Sequence, residues 1–181
     1  MRFVDKASDL GNPDLLIIPG TKNTIEDLLF LMRRGISDGI IRLSKGGTMI
    51  MGILQDTRCS ENKLTTPIAS NHRRKTVNGL GLLSTITTFA RNKQTYQVRA
   101  RLLGCQRLFH VAHELVGYEI HMGETPYNGN NSIKPFARIT ERAGKTVDVL
   151  DGCISPDGNV AGTTFTVSLT TMNSEQRSFN I

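Results

Sequence analysis

One segment near the N-terminus constrains the fold more than any other. Asp14–Ile18 is an almost continuous apolar run that Pro19-Gly20 ends, and such a run is typical of a strand buried on both faces. A helix beginning at Thr24, a second helix over Ser37–Lys45 and a buried strand over Thr48–Ile53 follow in the sequence pattern. This order of strand, glycine turn, helices and strand predicts a parallel α/β sheet, whose sites lie at the carboxyl ends of the strands.

The second half of the chain predicts short strands. They are expected over Gln97–Leu103, Gly117–Gly123, Phe136–Ile139, Thr146–Leu150 and Cys153–Ser155, with a hairpin turn at Asp157-Gly158 leading into Asn159–Thr163. We expect these strands to lie beside the first sheet. The predicted fold class is therefore α/β, a mostly parallel sheet with added antiparallel strands, in one domain of 181 residues.

Composition is that of a soluble globular protein, with 38% apolar and 21% charged residues. No apolar run reaches the roughly 18 residues of a membrane span, and Met1–Lys6 lacks the start of a signal peptide. Cytoplasmic localisation without a membrane partner is the expectation. Cys59, Cys105 and Cys153 form no CxxC pair, so reduced thiols and no metal site are predicted.

The net charge of +6 raises the question of nucleic-acid binding, because basic residues cluster at His72–Lys75 and recur at Arg99 and Arg101. These residues are not interleaved with aromatic side chains on which bases would stack, and Trp is absent. A solvated basic face, or a pocket for an acidic substrate, is the preferred interpretation, and no nucleic-acid partner is expected.

Two places carry candidate chemistry. Glu119 and His121 stand two positions apart on a predicted strand, so they share a face and could bind a metal or move a proton. Gly20 and Thr21 open a helix, where backbone N–H groups could stabilise an oxyanion. The competing interpretations are an edge strand with a hydrogen-bonded His and an ordinary helix N-terminus.

Four segments together resemble a known family. They read PDLLIIPGTKNTIEDL (Pro13–Leu28), NGLGLL (Asn78–Leu83), GYEIHMGET (Gly117–Thr125) and SPDGNVAGT (Ser155–Thr163). In this order they resemble the glutamine amidotransferase domain of the cobyric acid synthase family. The resemblance implies a class I amidotransferase-like, flavodoxin-like fold. It also implies a cysteine thiolate that attacks the amide of glutamine and a histidine that moves the proton.

The same resemblance implies partners outside this domain. Ammonia released from glutamine would pass to an ATP-binding synthetase domain, which uses ATP and Mg to amidate the corrinoid adenosylcobyrinic acid a,c-diamide. This domain itself would need no cofactor. Glu119 and His121 would be neighbours of the glutamine site, and Gly20 and Thr21 would lie on the oxyanion side. Lys22 and Asn23 match the family motif without an assigned role.

The chain departs from the family at both catalytic positions. The family has its cysteine directly after Gly-Ile, in GICAGYQMLGE, whereas Leu54 follows Gly52-Ile53 here. The family has its histidine in GTYLHGIFDND, and Thr166 stands in that place. Neither leucine nor threonine accepts a proton at neutral pH or attacks as a thiolate does, so an inactive site is predicted.

A shift of reading frame accounts for both departures. Losing one base from ATT TGT GCA GGA TAC changes Ile-Cys-Ala-Gly-Tyr into Ile-Leu-Gln-Asp-Thr, which is the sequence from Ile53 to Thr57. The same offset after Thr163 permits Tyr-Leu-His-Gly-Ile-Phe-Asp. We therefore expect residues 54–67 and 164–181 to be out-of-frame translation, with Cys59 arising from a methionine codon rather than from a displaced nucleophile.

Two further expectations follow from the resemblance. The chain is expected to be a fragment without the upstream ATP-binding domain and the first strand, which predicts marginal stability or aggregation. The alternatives are a non-catalytic interaction module, for which Leu54–Thr66 would be well ordered, and a sibling enzyme. The siblings are cobyrinic acid a,c-diamide synthase and the amidotransferase of peptidoglycan amidation.

Overall fold

The computed structural model describes residues 1–20, 24–53, 61–65, 76–104, 114–124 and 133–168. A short 3-10 helix at Ala7–Asp9 precedes the strand–helix–helix–strand unit, which consists of β1 (Leu15–Ile18), α1 (Thr24–Arg33), α2 (Ile36–Lys45) and β2 (Met49–Ile53). The later strands are β3 (Glu61–Thr65), β4 (Thr76–Asn78), β5 (Leu83–Leu102), β6 (Glu114–Glu124), β7 (Ala137–Arg142), β8 (Lys145–Asp151), β9 (Cys153–Ile154), β10 (Val160–Thr163) and β11 (Phe165–Ser168).

A four-stranded sheet, which we call the parallel sheet, contains the N-terminal strands. Its order is β1-β2-β10-β9, with β1 and β10 parallel to β2 and β9 antiparallel to β10. Leu15 lies opposite Met49, and Thr163 lies opposite Ile53. The carboxyl ends of β1, β2 and β10 therefore meet at one edge, as expected for a parallel sheet.

A second sheet is organised around the long strand β5, and we call it the β5 sheet. β11 and β6 lie on one side of β5. On the other side, β3 pairs with the N-terminal part of β5, and β4 pairs with β3. The C-terminal part of β5 pairs with β7, and β8 pairs with β7. Most of its pairings are antiparallel.

Strand β2 places apolar side chains in two cores, because successive side chains of a strand point to opposite faces. Ile50 belongs to a cluster with Leu28 of α1 and Ile40 of α2. Met49 and Met51 belong to a second cluster that includes residues of the β5 sheet such as Val98, Ile139 and Phe165. The helices, the parallel sheet and the β5 sheet thus form successive layers around β2.

Both ends of α2 are set by local backbone chemistry. Gly35, at φ 67°, supplies the left-handed residue before α2, a conformation that glycine adopts without steric cost. At the other end the Gly46 N–H donates to the Arg42 carbonyl, and the Thr48 N–H donates to the Leu43 carbonyl. These bonds satisfy the last helical carbonyls and turn the chain directly into β2.

The strand–helix–helix–strand prediction is confirmed to within a residue or two at the ends, and so is the α/β class. The second-half prediction needs correction in its arrangement. Most of the added strands form a separate sheet rather than extending the first one, and β10 pairs with β2 inside the parallel sheet. The strands that were not anticipated are β3 at Glu61–Thr65, β4 at Thr76–Asn78, the N-terminal half of β5, and β11 at Phe165–Ser168. Among the described residues, no helix is long and apolar enough to cross a membrane.

Candidate functional site

The site is defined by the edge at which β1, β2 and β10 end. Ile53 is the last residue of β2, and its neighbour across the sheet is Thr163, the last residue of β10. The position after Ile53 is Leu54, which lies outside the described residues, as do Thr21, Lys22 and Asn23. Gly20 follows β1 and is exposed, but β2 separates β1 from β10.

The chain continues from β10 into β11, which brings Thr166 to the same neighbourhood. Strand β11 pairs antiparallel with β6, with Phe165 opposite Glu119 and Thr166 opposite Tyr118. The backbone therefore brings Ile53, which precedes the predicted nucleophile position, together with Thr166 and Glu119 towards one end of β10. His121 lies two residues further along β6, with its backbone opposite Gln94, and its side chain is outside the described part.

Glu119 is buried, with 2% of its surface exposed. Its carboxylate forms an ion pair with Arg142 of β7, with an Oε2–Nε distance of 2.8 Å. The Arg142 Nη2 also donates to Oε1 at 2.9 Å. A buried carboxylate needs such a partner, because an unpaired charge away from water is costly.

Arg142 is held in turn by the ring of Tyr96, whose centroid lies 5.6 Å from the guanidinium carbon. The sequence did not point to Arg142, because 23 residues separate it from Glu119. The pairing arises only when β7 and β6 both bind β5. The role of Glu119 at a glutamine site stays a prediction.

A second buried carboxylate, Asp151, lies at the end of β8 and is 5% exposed. It accepts hydrogen bonds from the Thr163 hydroxyl at 2.7 Å, from the Thr164 N–H at 3.3 Å and from the Thr164 hydroxyl. Burial raises the pKa of Asp151 above its ordinary value, the hydrogen bonds oppose that rise, and the charge of Glu119 adds to it. Sequence reasoning missed Asp151, which an Asp-Gly pair between two strand runs could have indicated.

The remaining candidates do not form a second site within the described residues. Cys153 is a buried thiol in the apolar cluster of the helical layer, and apolar burial disfavours the thiolate form. No group of three or more His, Cys, Asp or Glu residues in the described ranges could hold a metal ion. Arg99 lies within salt-bridge distance of Glu114 and Glu141, so its charge is locally balanced. Cys59, Cys105 and His72–Lys75 lie outside the described ranges.

Solved structures define the class of this fold. The chain resembles a crystal structure of a glutamine amidotransferase with a TM-score of 0.63, 15% identity, and coverage of 90% of this chain and 75% of the other. It also resembles PurLQS from Thermotoga maritima with a TM-score of 0.57, 16% identity, and coverage of 87% and 70%. The fold is that of a class I glutamine amidotransferase.

Sequence comparison narrows the class to a family. The CobB/CobQ-like glutamine amidotransferase domain matches residues 1–170, and the chain belongs to that family. It is 38% identical over 163 residues to a cobyric acid synthase of Clostridium kluyveri and 42% identical over 163 residues to one of Limosilactobacillus reuteri. Each match covers 90% of this chain and 32% or 30% of the relative. The chain thus spans about a third of the length of these curated relatives.

Proposed function

We propose that this chain is a glutamine amidotransferase domain of the cobyric acid synthase type that has lost its own glutaminase chemistry. The intact domain would release ammonia from glutamine for the ATP-dependent amidation of adenosylcobyrinic acid a,c-diamide in cobalamin biosynthesis. An ATP-binding synthetase domain would carry ATP, Mg and the corrinoid. The length of the relatives, about three times that of this chain, is consistent with such a domain.

One observation supports the location of the site above all others. Thr163 is in register with Ile53, so β2 and β10 end at the same edge of the sheet. In the family, the nucleophile follows the first of these strands and the base follows the second. Nucleophilic attack on an amide needs a thiolate, a base within hydrogen-bond reach and oxyanion donors.

The first two of these requirements are not met, because Leu54 and Thr166 stand at the family positions of the nucleophile and the base. A leucine side chain has no lone pair with which to attack, and a threonine hydroxyl does not accept a proton at neutral pH. Gly20 and Thr21 remain the candidates for the oxyanion side, and Glu119 and His121 for neighbours of glutamine. Without a nucleophile they would at most bind the amide.

A glutaminase assay tests the proposal. Ammonia release from glutamine is expected to equal that of buffer, because every catalysed route begins with the missing thiolate. C59S and C105S are the controls for adventitious thiol chemistry, since Cys153 is buried in the core. Turnover that a cysteine substitution abolishes would overturn the proposed loss of activity.

The coding DNA tests the origin of the lesion. Under the frameshift hypothesis, the codons from Leu54 and from Thr164 read GYQMLGE and YLHGIFDND in the offset frame. Codons that exclude these readings would refute it. Such codons would favour a domain that lost its catalytic residues by substitution.

A non-catalytic interaction module is the second candidate. Strand β3, at Glu61–Thr65, lies within the segment that the frameshift hypothesis treats as out of frame, and its backbone pairs with β4 and β5. Strand pairing on both sides of β3 favours a retained fold. Among the related enzymes, the similarity to cobyric acid synthases favours that family over the sibling amidotransferases.

A further inference from the structure

At two places the chain crosses between its two sheets through a single residue. Gly152 separates β8 of the β5 sheet from β9 of the parallel sheet. Thr164 separates β10 of the parallel sheet from β11 of the β5 sheet. We call the two crossings, Asp151–Cys153 and Thr163–Phe165, the sheet joint.

The two crossings lie side by side because β9 and β10 pair, with Cys153 opposite Gly162. Gly152 adopts φ +64°, and a Cβ built there would lie 2.1 Å from the Gly162 carbonyl oxygen. Only a glycine allows this approach. The backbone of one crossing is thus packed directly against the strand that leads into the other.

Asp151 connects the crossings chemically. It belongs to the first crossing, and all three of its hydrogen-bond donors in the site belong to the second: the Thr163 hydroxyl, the Thr164 N–H and the Thr164 hydroxyl. The Phe165 N–H then donates to the Thr163 oxygen at 3.3 Å. One buried carboxylate therefore orients the three consecutive residues at which the chain changes sheets.

The direction of that turn decides where β11 goes. Phe165 is buried in the core between the sheets, and its backbone lies opposite Glu119. The next residue, Thr166, is the family position of the catalytic base. A carboxylate that fixes the Thr163–Phe165 turn also fixes the approach of this position to the site.

We propose that Asp151 is a positioning residue, which holds the Thr163–Phe165 turn so that β11 pairs with β6 beside the site edge. The opening of β11 from β6 is controlled by this hydrogen-bonded joint. The consequence for the base position rests on the proposed function. The joint itself exists whether or not the chain acts on glutamine.

Amide hydrogen exchange followed by mass spectrometry tests the joint without any substrate. In D151A, peptides covering Phe165–Ser168 and Val116–Glu119 are expected to exchange roughly tenfold to a hundredfold faster, because the hydrogen bonds that Asp151 accepts from Thr163 and Thr164 are lost. Peptides covering α2 and β2 are expected to keep their rates within about threefold. D148A, an exposed aspartate on the same strand, is the matched control and should leave β11 unchanged.

D151N separates the role of the oxygen acceptor from that of side-chain bulk. Asn keeps the shape and one acceptor oxygen, so D151N is expected to restore most of the protection of β11. Equal loss in D151N and D151A would overturn the assignment. So would unchanged β11 exchange in D151A, or an equal acceleration over α2 and β2, which would indicate a general loss of stability.

A milder pair of variants covers the case in which D151A does not fold. T164V removes one hydroxyl donor at nearly constant shape, and T140V makes the same change where the hydroxyl donates to the Arg99 carbonyl instead. T164V is expected to accelerate β11 exchange by about threefold to tenfold, as for one hydrogen bond, and T140V is not. Indistinguishable β11 exchange in the two variants would overturn the proposal. Ammonia release plays no part in these readouts, so failure of the proposed function would leave them unaffected.

Discussion

The two buried carboxylates near the site are stabilised in different ways. Glu119 has a guanidinium partner in Arg142, whereas Asp151 has neutral hydroxyl and amide donors. A full opposite charge compensates for desolvation more than neutral donors do. The two residues should therefore respond differently to substitution.

Removing the partner of Glu119 should destabilise the fold. R142M leaves a carboxylate buried without its cation, and we expect a loss of about 3 kcal/mol, the lower end of the range for broken buried pairs because Arg142 is partly exposed. Denaturant unfolding of soluble protein measures the change. The double variant E119Q/R142M should recover part of the loss, since no buried charge remains. A loss below about 1 kcal/mol in R142M would show that water already screens the pair.

Asp151 should make the fold less stable as pH rises through the acid range. Its pKa is raised above the ordinary value of 3.8, first by burial, so the folded chain retains a proton that the unfolded chain has released. The stability it contributes is fully present below pH 3.8 and is lost as pH rises through the folded-state pKa. The charged group that acts on Asp151 is Glu119, which is itself paired with Arg142.

D151N removes this titration, so its stability relative to the unsubstituted chain should increase as pH rises from 3.8 and then level off. Denaturant unfolding at a series of pH values measures the difference. D148N, which also loses one negative charge on β8, is the control for net charge. A difference that stays flat or falls with pH would contradict the assigned direction.

Residue patterns in the sequence identified the apolar runs but not the polar contacts between distant strands. Glu119 was a candidate because it is a carboxylate in a strand pattern. Arg142 and Asp151 were not, because their partners lie on other strands and no local spacing encodes those contacts. Contacts of this kind depend on strand register, which a single sequence specifies weakly.

At the scale of elements, the sheet joint depends on the backbone of Gly152. A Cβ at this position would meet the Gly162 carbonyl oxygen at 2.1 Å and the Phe136 Cβ at 2.8 Å. Both atoms are fixed, one in the backbone and one in the core, so neither can move aside cheaply. The left-handed φ of +64° adds strain for any other residue.

G152A should therefore destabilise the chain by more than about 3 kcal/mol, as overpacking and left-handed strain combine. G144A is the matched control, because Gly144 also has a positive φ, +77°, but nothing lies within 4 Å of its built Cβ. G144A should cost only the backbone strain of about 1–2 kcal/mol. Equal losses in the two variants, measured by denaturant unfolding, would mean that packing at the joint contributes nothing.

Elements were predictable where burial enforces one pattern. β1, α1, α2 and β2 each show an apolar run or face, and the structure has them close to the predicted limits. The N-terminal half of β5 contains Arg91, Asn92 and Lys93, which gives no apolar alternation. It is a strand because β3 and β6 pair with parts of it, which is a tertiary effect.

At the scale of the whole molecule, β1 ends the parallel sheet. Within the described ranges β1 is hydrogen-bonded only to β2, so its other edge presents unpaired backbone groups of the kind that recruit further strands. The apolar side chains of Met1 and Phe3 are also almost fully exposed, at 105% and 94%. We therefore expect the isolated chain to associate through this region.

Light scattering as a function of protein concentration measures this association. F3K separates the two causes, because it replaces one exposed ring with a charged side chain while leaving the backbone edge of β1 unchanged. If the open edge dominates, F3K should slow association only modestly, since backbone pairing does not need the ring. If F3K abolishes association, the exposed side chains are the cause instead. A cooperative unfolding transition from a monomer that stays soluble at high concentration would refute both, and would show that the layers around β2 suffice to stabilise the fold.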